Sequence, residues 1–235
     1  MRPQLQATPD TIRAPAGNEL ALRQSKVLRN TYLLLAISLI PTAIGAMIGI
    51  NMNFAFLRAS PIMSSIVLLA VVYGMFFAIE KNRDSALGVV LLLGLTLFLG
   101  IILGPLLQMA LGLRNGGQLI ALAAGGTAAV FFAMAGIATA SKRDFGFLTN
   151  FLMVGAIVIM LAVVANIFFA SPVLHLTICA VFVLFSAAMI LWQVSQIVHG
   201  GETNYVSATL TLYMGIYNLF TSLLHLLMAF TGNRD

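Results

Sequence analysis

The stretch from residue 86 to 111 reads ALGVVLLLGLTLFLGIILGPLLQMAL, and none of its side chains is charged. A helix needs about 20 apolar residues to cross a hydrocarbon core about 30 Å thick. Because this stretch is longer than that, it predicts a helix that tilts or bends, and Pro105 predicts where the bend falls. Strands of a membrane barrel are excluded, since they alternate apolar and polar residues over about ten positions.

The rest of the chain has the same character. Of its 235 residues, 60% are apolar and 8% are charged, whereas a soluble domain has about 45–50% and about 25%. These values exclude a soluble enzyme or a nucleic-acid-binding domain. The sequence therefore predicts an all-α membrane protein, a bundle of seven transmembrane helices. The seven apolar stretches are 28–50, 60–80, 86–111, 117–139, 147–170, 173–198 and 206–230.

The chain divides into one transmembrane domain, residues 28–230, with a tail at each end. Residues 1–27 contain three prolines and many polar side chains, which predicts a disordered tail. If this tail is cytoplasmic, nine lysines and arginines lie on the cytoplasmic side and three on the other, in agreement with the positive-inside rule. The short tail 231–235 is then external.

The sequence offers little for catalysis, because metalloprotease, nucleophile-elbow and P-loop patterns are absent. His175, His199 and His225 lie far apart along the chain, and the acids lie almost entirely in tails or short loops. We therefore predict no enzyme activity, no cofactor, no metal site and no nucleic-acid partner. A membrane enzyme would require His225 to face a distant serine or acid. The single cysteine, Cys179, is predicted to be a buried thiol.

Polar but uncharged residues collect in the last two apolar stretches. A spacing of four residues places Tyr213 with Tyr217, and Thr221 with His225, on one helix face. Such a helix should be shielded from lipid, so we expect the seventh helix at the bundle centre. Its polar groups either join helices through hydrogen bonds or line a water-filled pathway. The candidate central residues are Gln193, Ser195, Tyr213, Tyr217, Asn218 and His225.

Two small-residue motifs, Gly45-x3-Gly49 and Gly100-x3-Gly104, would allow helices to approach closely. We expect that they pack within one chain rather than form a dimer face, and the oligomeric state is left open.

The loop before the seventh stretch is the most unusual one. Its two glycines can supply the positive φ required just past a helix end, and Thr203 or Asn204 can cap the next helix. A tight turn with both caps is the favoured interpretation, and a docking surface for a cytoplasmic partner is the alternative. The candidate docking residues are His199, Gly200, Gly201, Glu202 and Asn204.

Several blocks of the chain resemble the Bax inhibitor 1 family, in particular its proteobacterial, YccA-like branch. The resemblance covers nearly everything after residue 25 and implies a bundle whose last helix is surrounded by the others. The bacterial type of the sequence and the asymmetry of its basic residues predict an inner membrane, and seven spans then place the C-terminus in the periplasm. The matching blocks are KVLRNTY at 26–32, LGIILGP at 99–105, GGTAAVFF at 125–132, VANIF at 164–168, HGGETNY at 199–205 and YNLF at 217–220.

This resemblance implies one of two functions. Members of the YccA-like branch are implicated as modulators of FtsH, a membrane-anchored ATP-dependent protease, and act as competitors or slowly processed substrates gripped by the N-terminal tail. Other relatives are pH-sensitive calcium leak channels that use an acidic pair on the last two helices. That pair aligns with Gln193 and Gly215. Neither residue can titrate or offer a carboxylate to Ca²⁺, so pH gating is not expected here.

Overall fold

A computed structural model of the chain describes residues 16–55, 60–141 and 143–231. Every regular element in these residues is a helix, which confirms the all-α prediction. The predictions for residues 1–15 and 232–235 fall outside the described residues. The helices are α1 (Ala16–Ile50), α2 (Pro61–Lys81), α3 (Ala86–Ile102), α4 (Gly104–Leu111), α5 (Gly116–Ala140), α6 (Leu148–Phe169), α7 (Pro172–Val198) and α8 (Tyr205–Thr231).

Among the described residues, seven segments are long and apolar enough to cross a membrane, with α3 and α4 together forming the third. Six of the seven agree with the predicted bounds to within one residue at each end. The first helix differs, because α1 begins at Ala16 instead of residue 28, within the predicted tail. Residues 16–27 lack proline and contain the helix formers Ala, Leu, Glu, Arg, Gln and Lys, so the helix extends beyond its apolar part.

The third span breaks at Leu103, as the position of Pro105 predicts. Proline has no backbone N–H and cannot continue the hydrogen-bond ladder of α3. The break directs α4 towards the end of α1, where the Nε2 of Gln108 donates to the carbonyls of Gly49, Ile50 and Met52 at 3.2, 2.9 and 2.9 Å. Gln108 therefore supplies donors at a helix end that has spare carbonyls, although the Gly49 carbonyl also accepts from the N–H of Met52 at 3.2 Å.

The last helix lies at the centre of the bundle. Helix α8 packs against α1, α2, α3, α4, α5 and α7, and it contributes the largest set of buried residues of any described helix. Helix α6 instead packs mainly against α7 and exposes Phe151, Leu161 and Phe168. Apolar side chains on this outer surface suit contact with lipid, whereas the more polar α8 is shielded from it.

The two glycine motifs face each other between α1 and the α3–α4 span. A Cβ added at Gly45 would overlap the backbone oxygen of Leu97, and one added at Gly100 would overlap the backbone oxygen of Thr42. Only glycine permits backbones to approach this closely. The expected packing within one chain is therefore observed at this crossing, which also includes Gly49 and Gly104.

Candidate functional site

Tyr213 occupies the middle of the bundle and is 1% exposed. Its hydroxyl lies 2.8 Å from Thr42 Oγ1 on α1 and 3.5 Å from the carbonyl oxygen of Thr96 on α3. The Thr42 hydroxyl donates to the Ser38 carbonyl at 2.8 Å, so its oxygen is available to accept from Tyr213. The single hydroxyl proton of Tyr213 is therefore directed at Thr42, and the Thr96 carbonyl lies at the limit of hydrogen-bond distance, so one tyrosine hydroxyl contacts both α1 and α3.

Tyr217 extends this polar line by one helical turn. Its hydroxyl donates to the carbonyl of Leu99 at 3.2 Å, and its ring stacks on Tyr213 with centroids 6.2 Å apart and an interplanar angle of 29°. The spacing of four residues predicts this shared face. Both tyrosines therefore connect α8 to its neighbours through direct hydrogen bonds.

Ser195 and His199 form the cytoplasm-facing end of α7 in the predicted orientation. The Ser195 hydroxyl oxygen is fully buried, accepts from the N–H of Phe145 at 3.0 Å, and lies 3.3 Å from His199 Nδ1. Ser195 therefore fastens the loop between α5 and α6 to α7. Asn218 and His225 are half-buried on α8, and Nδ1 of His225 lies 2.8 Å from the carbonyl oxygen of Thr221.

The two positions that align with the family's acidic pair lie on α7 and α8, which pack against each other. Gln193 is 2% exposed, and its side-chain nitrogen has no hydrogen-bond partner among the described residues. A Cβ at Gly215 would lie 2.9 Å from Cγ1 of Ile190, one helical turn before Gln193 on α7. The buried Ile190 side chain therefore fills the space into which an acidic side chain at position 215 would project.

The loop from His199 to Asn204 is a tight turn with a cap at each end. Gly200 has a φ of +80°, which glycine adopts without the steric cost of a Cβ. The side-chain oxygen of Asn204 accepts from the N–H groups of Val206 and Ser207 at 2.8 and 3.2 Å. Of the two possible caps, Asn204 is the one that caps α8.

The same loop is tied to the connection between α2 and α3. The Nδ2 of Asn204 donates to Asp84 Oδ1 at 2.8 Å and to the carbonyl of Arg83 at 3.2 Å. The Ser207 hydroxyl donates to Glu80 Oε2 at 3.0 Å. Sequence reasoning missed Glu80 and Asp84, because their partners lie more than a hundred residues away. His199 and Gly201 remain exposed, and a docking role for the loop stays a prediction.

Replacing Asn204 with alanine should lower the free energy of unfolding by about 1–2 kcal/mol, because α8 loses its cap and the loop loses its link to Asp84. Equilibrium unfolding in mixed detergent micelles measures this loss. Asn115 provides a matched control, since it precedes α5 without making a side-chain cap. Asn115→Ala should have a much smaller effect, and an equal loss in the two variants would contradict the assignment.

Together, the fold and its buried polar centre define a seven-span α-helical membrane protein organised around its last helix. The family model described as inhibitor of apoptosis-promoting Bax1 matches residues 24–232. The chain belongs to this family, the Bax inhibitor 1 family.

Relatives are similar over most of their length. An uncharacterized protein of Neisseria meningitidis is 46% identical over 211 residues, which are 89% of this chain and 93% of the relative. An uncharacterized protein of Pseudomonas aeruginosa is 46% identical over 202 residues, which are 86% of this chain and 88% of the relative. The modulator of FtsH protease YccA of Escherichia coli is 43% identical over 206 residues, covering 88% and 91%.

Proposed function

We propose that this chain is a non-catalytic protein of the bacterial inner membrane that modulates membrane-protein quality control through an FtsH-type protease. The observation that carries the proposal is the 43% identity with the FtsH modulator YccA over 88% of the chain. A second relative of equal similarity is named an inner membrane protein. The excess of basic residues beside the N-terminus favours a cytoplasmic N-terminus and a periplasmic C-terminus.

An ATP-driven protease that unfolds its substrate needs a segment of chain to pull. Residues 1–15 precede α1, contain three prolines and include only two basic side chains, Arg2 and Arg13. In this proposal they are the segment that the protease engages first, and pulling on them draws α1 out of the bundle before any other helix.

The contacts of α1 supply a physical reason for slow processing. Its glycines are packed against the backbone of α3 and α4, Gln108 holds its last carbonyls, and Thr42 contacts Tyr213 in the centre. Because these contacts lie along one helix, extraction of α1 must disrupt most of them together. A high barrier to unfolding makes a substrate long-lived, and a long-lived substrate occupies the protease and competes with others.

Deletion of residues 2–15 tests the proposal. In E. coli cells lacking YccA, the overproduced full-length chain should slow the degradation of another FtsH substrate, and the deletion variant should not. The variant itself should have a longer FtsH-dependent half-life in pulse-chase labelling, because the protease has lost its starting segment. After the deletion, seven basic residues remain on the cytoplasmic side of the membrane against three on the other side, so the membrane orientation should be preserved.

A matched deletion of residues 232–235 removes the opposite tail. The half-life of this variant and that of the second FtsH substrate should both equal the values measured with the full-length chain. Equal degradation of the second substrate with and without the overproduced full-length chain would refute the proposed modulation. We do not extend the proposal to a pH-gated calcium leak, because Gln193 cannot titrate and Ile190 fills the space beside Gly215.

A further inference from the structure

Three side chains that commonly bind metals meet at the end of the bundle opposite the His199–Asn204 loop. His175 and Cys179 lie one turn apart near the start of α7, and His225 lies near the end of α8. One ligand atom from each residue lies within 4.8 Å of the others, and Cys179 Sγ is 3.7 Å from Nε2 of His175. Sequence spacing alone does not predict this group, because His225 is remote along the chain.

We propose that His175, Cys179 and His225 form a binding site for one thiophilic transition-metal ion, Zn²⁺ or Cu⁺. A tetrahedral zinc ion with Zn–S of about 2.3 Å and Zn–N of about 2.0–2.1 Å holds sulfur and nitrogen ligands about 3.6 Å apart, and two nitrogens about 3.4 Å apart. The separation between Cys179 and His175 already matches. The longest separation must close by about 1–1.5 Å, which small rotations of the Cys179 and His175 side chains can supply while His225 stays in place.

The hydrogen bond of His225 supports this assignment. Its Nδ1 lies 2.8 Å from the Thr221 carbonyl oxygen, and a carbonyl can only accept, so Nδ1 carries the proton. The lone pair is therefore on Nε2, the atom free to bind a metal. Histidine ligands usually donate their second ring N–H to a backbone carbonyl or carboxylate in this way, which fixes the tautomer and the ring orientation.

The surroundings suit a site with an open coordination position. Cys179 is 5% exposed, while the two histidine rings are half-buried and their centroids lie 4.8 Å apart at an angle of 76°. Three protein ligands leave a fourth position for water or an exchangeable ligand. One thiolate and two imidazoles favour zinc or copper over Ca²⁺ and Mg²⁺, which prefer oxygen ligands.

A bound ion would link α7 to the central helix near the membrane surface, since His175 is the fourth residue of α7. Because the site would form only when the two helices are packed together, ion binding would stabilise the folded bundle. This proposal concerns the opposite end of the molecule from the N-terminal tail and does not depend on the protease function.

Cobalt provides a direct spectroscopic test on the purified, reduced, metal-free full-length protein in detergent. One Co²⁺ ion should bind per chain and give rise to a thiolate-to-metal charge-transfer band. Zn²⁺ should displace the cobalt and so remove the band. A parallel titration with Cu⁺ shows whether Zn²⁺ or Cu⁺ binds more tightly. Cys179→Ser should abolish the band, and His175→Gln or His225→Gln should weaken Zn²⁺ binding at least about 100-fold, exceeding the effect of losing an outer hydrogen-bond partner. His199→Gln, in the loop at the other end, is the matched control and should bind as wild type.

A second measurement needs no variant. Cys179 is the only cysteine, so alkylation by a maleimide reports on this thiol alone, and Zn²⁺ should slow the reaction at least ten-fold. Absence of the charge-transfer band in the wild-type protein, or alkylation at the same rate with and without Zn²⁺, would overturn the proposal. A loss of binding in His199→Gln equal to that in His225→Gln would also overturn it.

Discussion

Gly100→Leu is expected to destabilise the bundle by about 3 kcal/mol, at the upper end of the usual cost of overpacking a core. A Cβ at this position would overlap the backbone of Thr42, and a backbone atom cannot rotate aside as a side-chain end can. Helices α1 and α3 must therefore separate, which also weakens the contact between Thr42 and Tyr213. Unfolding by sodium dodecyl sulfate in mixed micelles measures the loss.

Gly125→Leu is the matched control, because Gly125 on α5 is exposed and no atom of another residue would touch an added Cβ. In a helix, leucine is favoured over glycine by roughly 0.5–1 kcal/mol, so this variant should be neutral or slightly stabilised. If slow extraction of α1 underlies the proposed function, Gly100→Leu should also shorten the FtsH-dependent half-life while Gly125→Leu does not. Equal stability of the two variants would show that the crossing is not closely packed.

Tyr213→Ala should lower the free energy of unfolding by about 3–5 kcal/mol, the range for truncating a large buried aromatic side chain. The ring is almost fully buried, so its removal leaves a cavity. The Thr42 hydroxyl, which contacts Tyr213, then faces this cavity without a partner on α8. Tyr213→Phe keeps the ring and loses only the hydroxyl, which should cost about 1 kcal/mol. The difference between the two variants separates packing from hydrogen bonding.

Tyr73 on α2 is the corresponding control, because it is 51% exposed on the outer surface. Tyr73→Ala should cost less than about 1 kcal/mol, as surface substitutions usually do. A loss in Tyr213→Phe as large as that in Tyr213→Ala would mean that the hydroxyl, and not the packing of the ring, holds α8 in place.

Much of the fold could be predicted because lipid imposes local rules on each span. A hydrocarbon core requires long apolar helices, and so the bounds of six spans and the break beside Pro105 follow from short stretches of sequence. The central position of α8 follows from its polar residues, since Tyr213 and Tyr217 could not face lipid without cost. The start of α1 lies before the predicted span because residues 16–27 include charged and polar side chains among apolar ones, and such a mixture does not prevent helix formation.

Within the candidate site, only contacts along one helix or one loop could be anticipated. The shared face of Tyr213 and Tyr217 and the cap at Asn204 depend on spacings of two to four residues. The hydrogen bonds to Thr42 and Asp84 depend on how distant helices are rotated about their axes. That rotation is the sum of many packing contacts, and no short pattern encodes it.

The amino-acid sequence alone determined that this chain is a seven-span helical membrane protein with a polar last helix, because length and apolar content decide which segments enter lipid. Only the tertiary structure decided that Gly100 meets α1, that Ile190 fills the space beside Gly215 and that His225 joins His175 and Cys179. These contacts link residues far apart along the chain, and the helices bring them together only when the packed bundle has formed.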